Sequence, residues 1–456
     1  MFFIWLVMTA FLCRANSIDQ IIQQHKQAKT QFAILAIDAE SGNVLYQMNA
    51  ERPMIPASNM KVVTSSAALR YLGPNYVFQT KIGQLGNHLV VIGGGDPLLA
   101  ESIIDPQDPR SMGRIFDEII STLQDAGITE VEDLIIDVSF FDNNRVHPSW
   151  RPDELNKWYA CEVSGLNFNN NCIRITASRV DNKPVLRMEP ANSYVRLVNR
   201  LKMISKGSSA VGAYRNSVPN KLLIKGKLNQ SAGFDVAIEN PQSLFASILA
   251  DRLKAAGIPI RGSILQTYVK NDDVIRILRT FETPISEVLS RCNKDSLGLA
   301  AESLLKTISA ENTQGQINGE WPHGIALVTR YLKSLGIAED QFVLDDGSGL
   351  SRKNRLSPTV LVTVLNDVYS GSTRQVFTES LAAGGADGTV SKYFRESPYQ
   401  GNILGKTGYI SDVRSFSGIC RTPHGDILFS ILTEGGNGTT RTCINDITKA
   451  IFDRRF

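Results

Sequence analysis

The segment IPASNMKVVTSSAALRYLGP, residues 55–74, places Ser58 three positions before Lys61 at the start of an apolar run. A proline precedes the serine and a Gly-Pro pair ends the run, so the sequence predicts a helix from about Ser58 to Leu72. Residues at positions i and i+3 lie on the same face of a helix. The serine hydroxyl and the lysine amine are therefore expected to face each other beside the outward-pointing N–H groups of a helix start.

This pairing suits acyl transfer. A serine hydroxyl is a weak nucleophile unless a nearby base removes its proton, and an uncharged lysine can be that base. The ordinary pKa of lysine is about 10.4, so burial or a second cation must lower it. The first N–H groups of the helix can stabilise the oxyanion that forms. On this motif alone, the alternative is a surface capping serine beside a solvated lysine.

A second motif, Lys406-Thr407-Gly408, lies within a predicted strand, LGKTGYI. A glycine inside a strand indicates close approach of another backbone. Lys406 is expected to supply the second cation that lowers the pKa of Lys61, and Lys406 and Thr407 can meet a terminal carboxylate of an extended peptide. The alternative is an exposed edge strand protected by its lysine.

A third, weaker motif is CNKDSLGLAAESLL, in which Ser296 precedes another predicted helix. Its hydroxyl can pass a proton to a leaving amine, or it can be an ordinary N-cap serine. Of the other candidates, the turn DGSGLSRKN around Asp346 is expected near the cleft without direct chemistry, and Cys292 is expected to be a small core residue.

The bulk composition describes a globular protein of more than one domain. The chain has 456 residues, of which 43% are hydrophobic and 20% charged, with a formal net charge of +3. That length exceeds one compact core and suits two or three domains. Because no block of Lys or Arg occurs, no nucleic-acid partner is expected.

The N-terminus, MFFIWLVMTAFLCRANS, has the apolar core of a signal peptide, and we predict cleavage after residue 17 and export. A buried N-terminal element is the alternative. A lipoprotein anchor at Cys13 is disfavoured because the residues before it are large. Two disulfides, Cys161–Cys172 and Cys420–Cys443, are compatible with an oxidising compartment, and the sequence leaves them undecided.

The chain divides by pattern into three parts after the signal peptide. Within residues 18–74, the stretch FAILAIDAESGNVLYQMN is interpreted as alternating apolar and polar residues, a pattern that predicts a β-hairpin. The Ser58 helix follows it. Residues 75–274 are predicted to be inserted, strand-rich material. Residues 275–456 contain helices, then three strands and a final helix. One sheet assembled from both chain ends is expected.

Taken together, these motifs resemble a known family. The order SxxK, Ser-x-x, KTG, with GGGDP, YACEVSGLNFNNN, DDGSGLSRKNRLSP, GGADGTV and GKTGYISDVRSFSG, is similar to the class C low-molecular-mass penicillin-binding proteins, which are D-alanyl-D-alanine carboxypeptidases and endopeptidases. The likeness covers nearly all of the chain after residue 17. It implies an α/β (α+β) transpeptidase or β-lactamase-like fold, an antiparallel sheet flanked by helices, with large inserted domains.

The resemblance also implies a mechanism. Ser58 attacks the carbonyl between two D-alanines, Lys61 takes its proton, and the backbone N–H groups of Ser58 and Tyr409 hold the oxyanion. Ser296 relays a proton to the departing D-alanine, and the Lys406, Thr407, Gly408 and Tyr409 strand binds the substrate. No metal or organic cofactor is implied. The implied partners are peptidoglycan stem peptides and β-lactams, in the periplasm; peripheral membrane contact and oligomeric state stay open.

Two positions depart from the family pattern. Gly298 stands where the family has asparagine, and Tyr409 stands where it has a small hydroxyl residue. Losing one group that positions substrate or stabilises charge costs on the order of 100-fold in rate, so turnover is expected to suffer more than acylation. Gly298→Asn is expected to raise turnover unless another amide, such as that of Asn293, compensates. The alternatives are a peptidoglycan-binding scaffold and, disfavoured by the insert, a β-lactamase.

Overall fold

The computed structural model describes residues 17–269, 274–313 and 316–456. The predicted signal peptide lies outside the described residues except for Ser17, which caps the first helix. Across the described ranges, no helix combines the length and the apolar character that crossing a membrane requires.

The elements fall into three consecutive groups. The first group contains α1 (Ile18–Gln24), β1 (Gln31–Asp38), β2 (Val44–Met48), a 3₁₀ turn (Ala57–Asn59) and α2 (Met60–Leu72). The second contains β3 (Val77–Leu85), β4 (His88–Gly93), α3 (Ile115–Asp125), β5 (Leu134–Asp137), β6 (Cys172–Val180), β7 (Lys183–Glu189), β8 (Arg196–Met203), β9 (Ala210–Tyr214), β10 (Lys221–Leu228), β11 (Ala232–Ala237), α4 (Pro241–Ala255), β12 (Ile264–Gln266) and β13 (Arg276–Pro284). The third contains α5 (Ile285–Lys294), α6 (Gly298–Glu311), α7 (Trp321–Ser334), β14 (Phe342–Val343), β15 (Arg355–Leu356), α8 (Pro358–Ser370), α9 (Arg374–Ser380), β16 (Ala382–Ala383), β17 (Ile403–Ile410), β18 (Val413–Cys420), β19 (Ile427–Glu434) and α10 (Thr440–Phe452).

The principal sheet joins the two ends of the chain. Its strand order is β16-β17-β18-β19-β1-β2, and each neighbouring pair is antiparallel. β1 pairs with β19 from Gln31 opposite Glu434 to Asp38 opposite Ile427. The expectation of one antiparallel sheet assembled from the N-terminal hairpin and the last three strands is confirmed.

Strand β1 is buried on both faces, which corrects the interpretation of its sequence as an alternating pattern. Only its first residue is exposed. A central strand covered by helices on both sides takes apolar residues at every position. Its alternate residues enter two separate cores, Ala33, Leu35 and Ile37 facing the α2 side, and Phe32, Ile34 and Ala36 facing the α10 side.

Helix α2 lies wholly inside the molecule. The range Met60–Leu69 is buried without a break. Its polar side chains are satisfied by neighbouring elements: the Thr64 hydroxyl donates to the Gly347 carbonyl at 2.7 Å, and the Ser65 hydroxyl donates to the Asn293 side chain at 3.2 Å. Buried polar groups need such partners, so these bonds fix the rotation of the helix that bears Lys61.

The middle of the chain forms further sheets. The largest has the order β12-β5-β4-β3-β13, and two three-stranded sheets have the orders β8-β10-β9 and β11-β6-β7. Helices α3 and α4 pack on the same core as these strands. Strand β13 lies beyond residue 274 yet pairs with β3. The predicted division into 18–74, 75–274 and 275–456 remains a prediction.

The cysteines among the described residues are free thiols, so neither disulfide that the sequence left open is present. Cys161, Cys172, Cys292, Cys420 and Cys443 are all buried. Burial raises the pKa of the Cys161 and Cys443 thiols to about 12. Buried protonated thiols behave as small apolar side chains and react poorly, which is the role expected for Cys292.

Candidate active site

The structure brings Ser58 and Lys61 together at the start of α2. Ser58 lies in the 3₁₀ turn and Lys61 in the first turn of the α-helix, with Nζ 3.2 Å from the serine Oγ. Lys61 is only 2% exposed, whereas Ser58 is half-buried. The amine is therefore shielded from bulk water, whereas Ser58 is partly exposed.

The residue before Ser58 adopts a left-handed backbone. Ala57 has a φ of 47°, a conformation that costs a residue other than glycine about 1–3 kcal/mol. The surrounding structure holds it there, since Ala57 is fully buried. Gly349 lies directly against it: a Cβ on that glycine would fall 1.8 Å from the Ala57 carbonyl oxygen. Such strain, held by close backbone packing, is typical of a functional turn.

Lys61 has a second partner that the sequence did not indicate. Its Nζ donates to the backbone carbonyl of Ser348 at 2.7 Å. Ser348 belongs to the segment Asp346–Ser351, which we call the 346–351 loop. Asp346 closes this loop by accepting hydrogen bonds from the backbone N–H groups of Gly349 at 2.8 Å and Ser351 at 2.7 Å. The expected turn near the cleft therefore lies against the Lys61 amine, which it contacts through a backbone carbonyl.

Lys406 lies on the same side of β17 as Ser58 and is fully buried. Its Nζ donates to the Thr407 carbonyl at 2.9 Å. The buried side chain of Asn59 ties the strand to the nucleophile turn, because its Nδ2 donates to the Lys406 carbonyl at 2.9 Å. From the sequence alone, Asn59 was not identified as part of the site. Its position directly after Ser58 was the feature that could have indicated this role.

The two lysines have depressed pKa values for different reasons. Burial lowers the pKa of Lys61, while Cys292, Glu302 and Asp346 oppose that shift. Burial, followed by repulsion from Lys61, holds the pKa of Lys406 well below its usual range. Burial is thus the first cause of the lowered pKa at Lys61, and the repulsion between the two amines, which is mutual, is the second cause at Lys406.

Gly408 allows β17 to approach Ser58. A Cβ at this position would fall 3.1 Å from the Ser58 nitrogen and 2.8 Å from the Pro56 carbonyl oxygen. The next residue, Tyr409, has a side chain that is 66% exposed and lies under the Arg414 guanidinium, 3.8 Å from the ring centre. Its ring therefore points away from the cleft face of the strand, and only its backbone is available beside Ser58.

Thr407 carries its hydroxyl on the opposite face of β17 from Lys406. Its Oγ1 donates to the Thr389 hydroxyl at 2.8 Å. Thr389 is exposed and belongs to the GGADGTV stretch. The pair places two hydroxyl groups at the edge of the strand. They lie near position 409, where the family has a small hydroxyl residue and this chain has tyrosine.

Ser296 lies in the turn between α5 and α6 with a φ of 62°. Within the described residues its hydroxyl makes no hydrogen bond, so it contacts neither Ser58 nor Lys61 through one. The neighbouring Asp295 acts electrostatically on Lys406. The turn is therefore beside the cleft, but the structure does not join Ser296 to the Ser58–Lys61 pair.

Asn293 does not replace the missing family asparagine. Its Oδ1 accepts from the Ser65 hydroxyl at 3.2 Å, and its Nδ2 donates to the Ser380 hydroxyl at 2.9 Å. The side chain is fully buried. Its amide thus bridges α2 and α9 rather than facing the cleft.

Gly298 fits against a backbone that leaves no room for a side chain. A Cβ at position 298 would fall 2.9 Å from the Tyr159 carbonyl oxygen. This argues against the expectation that Gly298→Asn raises turnover, because asparagine requires the backbone near Tyr159 to shift. We expect Gly298→Ala and Gly298→Asn both to lower the melting temperature and to slow penicillin acylation.

The control for this prediction is Gly113→Ala, since a Cβ on Gly113 would meet no atom within 4 Å. Thermal unfolding and acylation rates measured on the three variants test the prediction. A Gly298→Asn protein that is as stable as the wild type and turns over faster would contradict it.

Comparison with known proteins relates this chain to a family. The sequence profile of the family described as D-Ala-D-Ala carboxypeptidase 3 (S13) matches residues 14–453. The D-alanyl-D-alanine carboxypeptidase of Actinomadura sp. (strain R39) is 28% identical over 459 residues, which cover 94% of this chain and 82% of the relative.

Solved structures agree in fold. Penicillin-binding protein 4 (dacB) from Haemophilus influenzae matches with a TM-score of 0.82 at 20% identity, over 97% of this chain and 100% of that one. The same protein in complex with a β-lactam matches with a TM-score of 0.77 at 20% identity, over 96% and 99%. The predicted transpeptidase-like fold is thereby confirmed. Because the family profile extends from before α1 to just past α10, the protein belongs to the D-Ala-D-Ala carboxypeptidase 3 (S13) family, and the predicted resemblance to penicillin-binding carboxypeptidases is confirmed.

Proposed function

We propose that Ser58 is the nucleophile of a serine-type D-Ala-D-Ala carboxypeptidase acting on peptidoglycan stem peptides. Ser58 Oγ attacks the penultimate D-alanine carbonyl carbon as Lys61 Nζ accepts the hydroxyl proton. The backbone N–H groups of Ser58 and Tyr409 stabilise the oxyanion. The C–N bond then breaks, the terminal D-alanine amine takes a proton through Ser296, and water hydrolyses the acyl-enzyme.

The observation that carries this proposal is the 3.2 Å contact between Lys61 Nζ and Ser58 Oγ in a buried setting. An uncharged amine has two N–H bonds and one lone pair. The Ser348 carbonyl, 2.7 Å away, takes one N–H. The lone pair is then free for the Ser58 proton. General-base assistance of this kind contributes about 10²–10⁴-fold in rate.

Substrate orientation follows from strand β17. An extended stem peptide can lie beside this strand in the manner of an added strand. Its terminal carboxylate, at the edge of the strand, can then approach Lys406 on one face and Thr407 on the other. The Thr407 hydroxyl donates to Thr389, so the Thr389 O–H is the donor that this pair leaves free. β-Lactams enter by the same route, because their strained amide carbonyl takes the place of the scissile one. Cross-link cleavage breaks the same kind of bond, so endopeptidase action is part of the proposal, as is action in the periplasm after export.

Release of D-alanine from a short peptide ending in D-Ala-D-Ala tests the activity. The matched control is the same peptide ending in L-Ala-L-Ala, which should release no alanine. Release from the D,D peptide alone is the expected result. The departures at Gly298 and Tyr409 favour one competing function, a peptidoglycan-binding scaffold. Intact peptidoglycan binding without detectable release would support the scaffold and contradict the proposal.

A further inference from the structure

The 346–351 loop places two consecutive peptide units between α2 and α6. In the first unit, the Gly347 carbonyl accepts from the Thr64 hydroxyl at 2.7 Å, and the Ser348 N–H donates to Glu302 Oε1 at 2.7 Å. Both ends of this unit are therefore fixed, one by the helix that carries Lys61 and one by a carboxylate on α6.

The second peptide unit contacts the base. Its carbonyl, that of Ser348, accepts from Lys61 Nζ at 2.7 Å. Its N–H, that of Gly349, donates to Asp346 Oδ1 at 2.8 Å. The position of the acceptor for Lys61 thus depends on the unit before it, which Glu302 holds.

In the described part of the chain, every hydrogen bond to the Glu302 side chain comes from an N–H group. Besides Ser348 N–H, its carboxylate accepts from Gly347 N–H at 3.0 Å and from the Trp321 indole N–H at 2.8 Å. The residue is 1% exposed. An ionised carboxylate can accept all three bonds at once. Burial and then repulsion from Asp346 raise the pKa of Glu302, and the hydrogen bonds from Ser348 and Trp321 oppose that rise by favouring the ionised form. Burying a carboxylate costs free energy unless hydrogen bonds compensate for the lost hydration. Two of the three bonds to Glu302 come from the Gly347 and Ser348 N–H groups, next to the carbonyl that contacts Lys61.

We propose that Glu302 is a positioning residue for Lys61. This role depends on the functions proposed above for Ser58 and Lys61. Glu302 holds the Gly347 and Ser348 N–H groups in place. The Ser348 carbonyl is thereby held where it takes one N–H of the Lys61 amine and leaves the lone pair on Ser58. Glu302 touches neither substrate nor the reacting atoms, and it acts only through the loop.

Removing the charge of Glu302 should affect both the rate and the pH dependence of acylation. In Glu302→Gln the side-chain NH₂ replaces an acceptor oxygen and faces an N–H donor, so one of the bonds that hold the loop is lost. Because the loop then positions Lys61 less well, we expect the second-order rate constant for penicillin acylation to fall about 10–100-fold. The charged or titratable groups that face Lys61 are Cys292, Glu302, Asp346 and Lys406. Loss of one negative charge disfavours the ammonium form, so the acid limb of the acylation profile should move to lower pH.

Two further variants make the test decisive. Glu311→Gln is the matched control. Glu311 is on the same helix, and among the described residues its carboxylate accepts from the Tyr76 hydroxyl alone, at 2.8 Å; the variant should acylate like the wild type. Thr64→Val removes the opposite anchor of the same peptide unit without a change of charge. We expect it to slow acylation several-fold with the acid limb unmoved.

Acylation rates measured across pH on folded variants, checked by circular dichroism, distinguish the outcomes. A folded Glu302→Gln protein with the wild-type rate and an unmoved acid limb overturns the inference. If Glu302→Gln does not fold, Thr64→Val decides: slower acylation supports the clamp, and the wild-type rate overturns it. Failure of the wild type to be acylated at Ser58 would instead defeat the proposed function, which separates the two claims.

Discussion

We expect Ser58→Ala to abolish covalent labelling by a fluorescent penicillin. The acyl bond forms to the serine Oγ, and alanine has no atom that can take its place. The substitution removes one hydrogen bond, to Lys61, from a half-buried side chain. The cost in free energy of unfolding is therefore about 1 kcal/mol, and the protein stays folded.

The comparison variant for this experiment is Ser296→Ala, which removes a hydroxyl from the same cleft. Because Ser296 is proposed to relay a proton and not to carry the acyl group, this variant is still labelled, more slowly than the wild type. Gel fluorescence after a fixed incubation measures both. Labelling of Ser58→Ala to the wild-type level would contradict the assignment of the nucleophile.

Lys61→Met should slow acylation by about 10²–10⁴-fold, the range expected for loss of a general base. Methionine fills similar volume in the buried site but cannot accept a proton. The acylation rate of the wild type should rise with pH as Lys61 loses its proton. Because burial lowers the pKa of Lys61 from 10.5, that rise should occur below the range of an ordinary lysine. The variant should lose this pH dependence together with the rate.

Lys353→Met is the control for loss of a lysine, since Lys353 is exposed in the segment that follows the 346–351 loop. It should acylate at the wild-type rate. Stopped-flow measurement of acylation over a range of pH gives both quantities. A Lys61→Met protein that acylates within a few-fold of the wild type, with the same profile, would show that another group accepts the Ser58 proton.

The local parts of the site were predictable from sequence. Ser58 and Lys61 are three residues apart on one helix, so helical geometry alone brings them together. Gly408 inside a strand predicted the close approach of another backbone. In the structure, the Ser58 backbone lies against this glycine, where a Cβ would come within 3.1 Å of the Ser58 nitrogen. The pairing of the N-terminal hairpin with the last strands followed from the order of the elements.

The contributions of distant backbone groups were not predictable in this way. The Ser348 carbonyl contacts Lys61 across a separation of 287 residues, and a carbonyl has no sequence signature because every residue carries one. The same holds for the clamp by Glu302, whose glutamate type suits an exposed helix as well as a buried one. The cause of the depressed pKa of Lys61 also depends on burial, which only the assembled fold fixes.

The glycine at position 298 illustrates a third limit. Compared with the family pattern, glycine at this position lacks the asparagine side chain. In the structure, the absence of a side chain lets the Tyr159 backbone pack against position 298. The Tyr159 carbonyl occupies the space that a side chain at 298 would need. The departure therefore involves two segments far apart in sequence, and we expect that changing position 298 alone will not restore the family arrangement.

Mass spectrometry of the protein after reaction with benzylpenicillin is the decisive test of Ser58 as the acylated residue. We expect the intact mass to increase by one penicillin. Tandem analysis of the digested protein should place that addition on Ser58. An addition located on Ser296 or Ser348, or no covalent addition at all, would contradict the claim that Ser58 forms the acyl-enzyme.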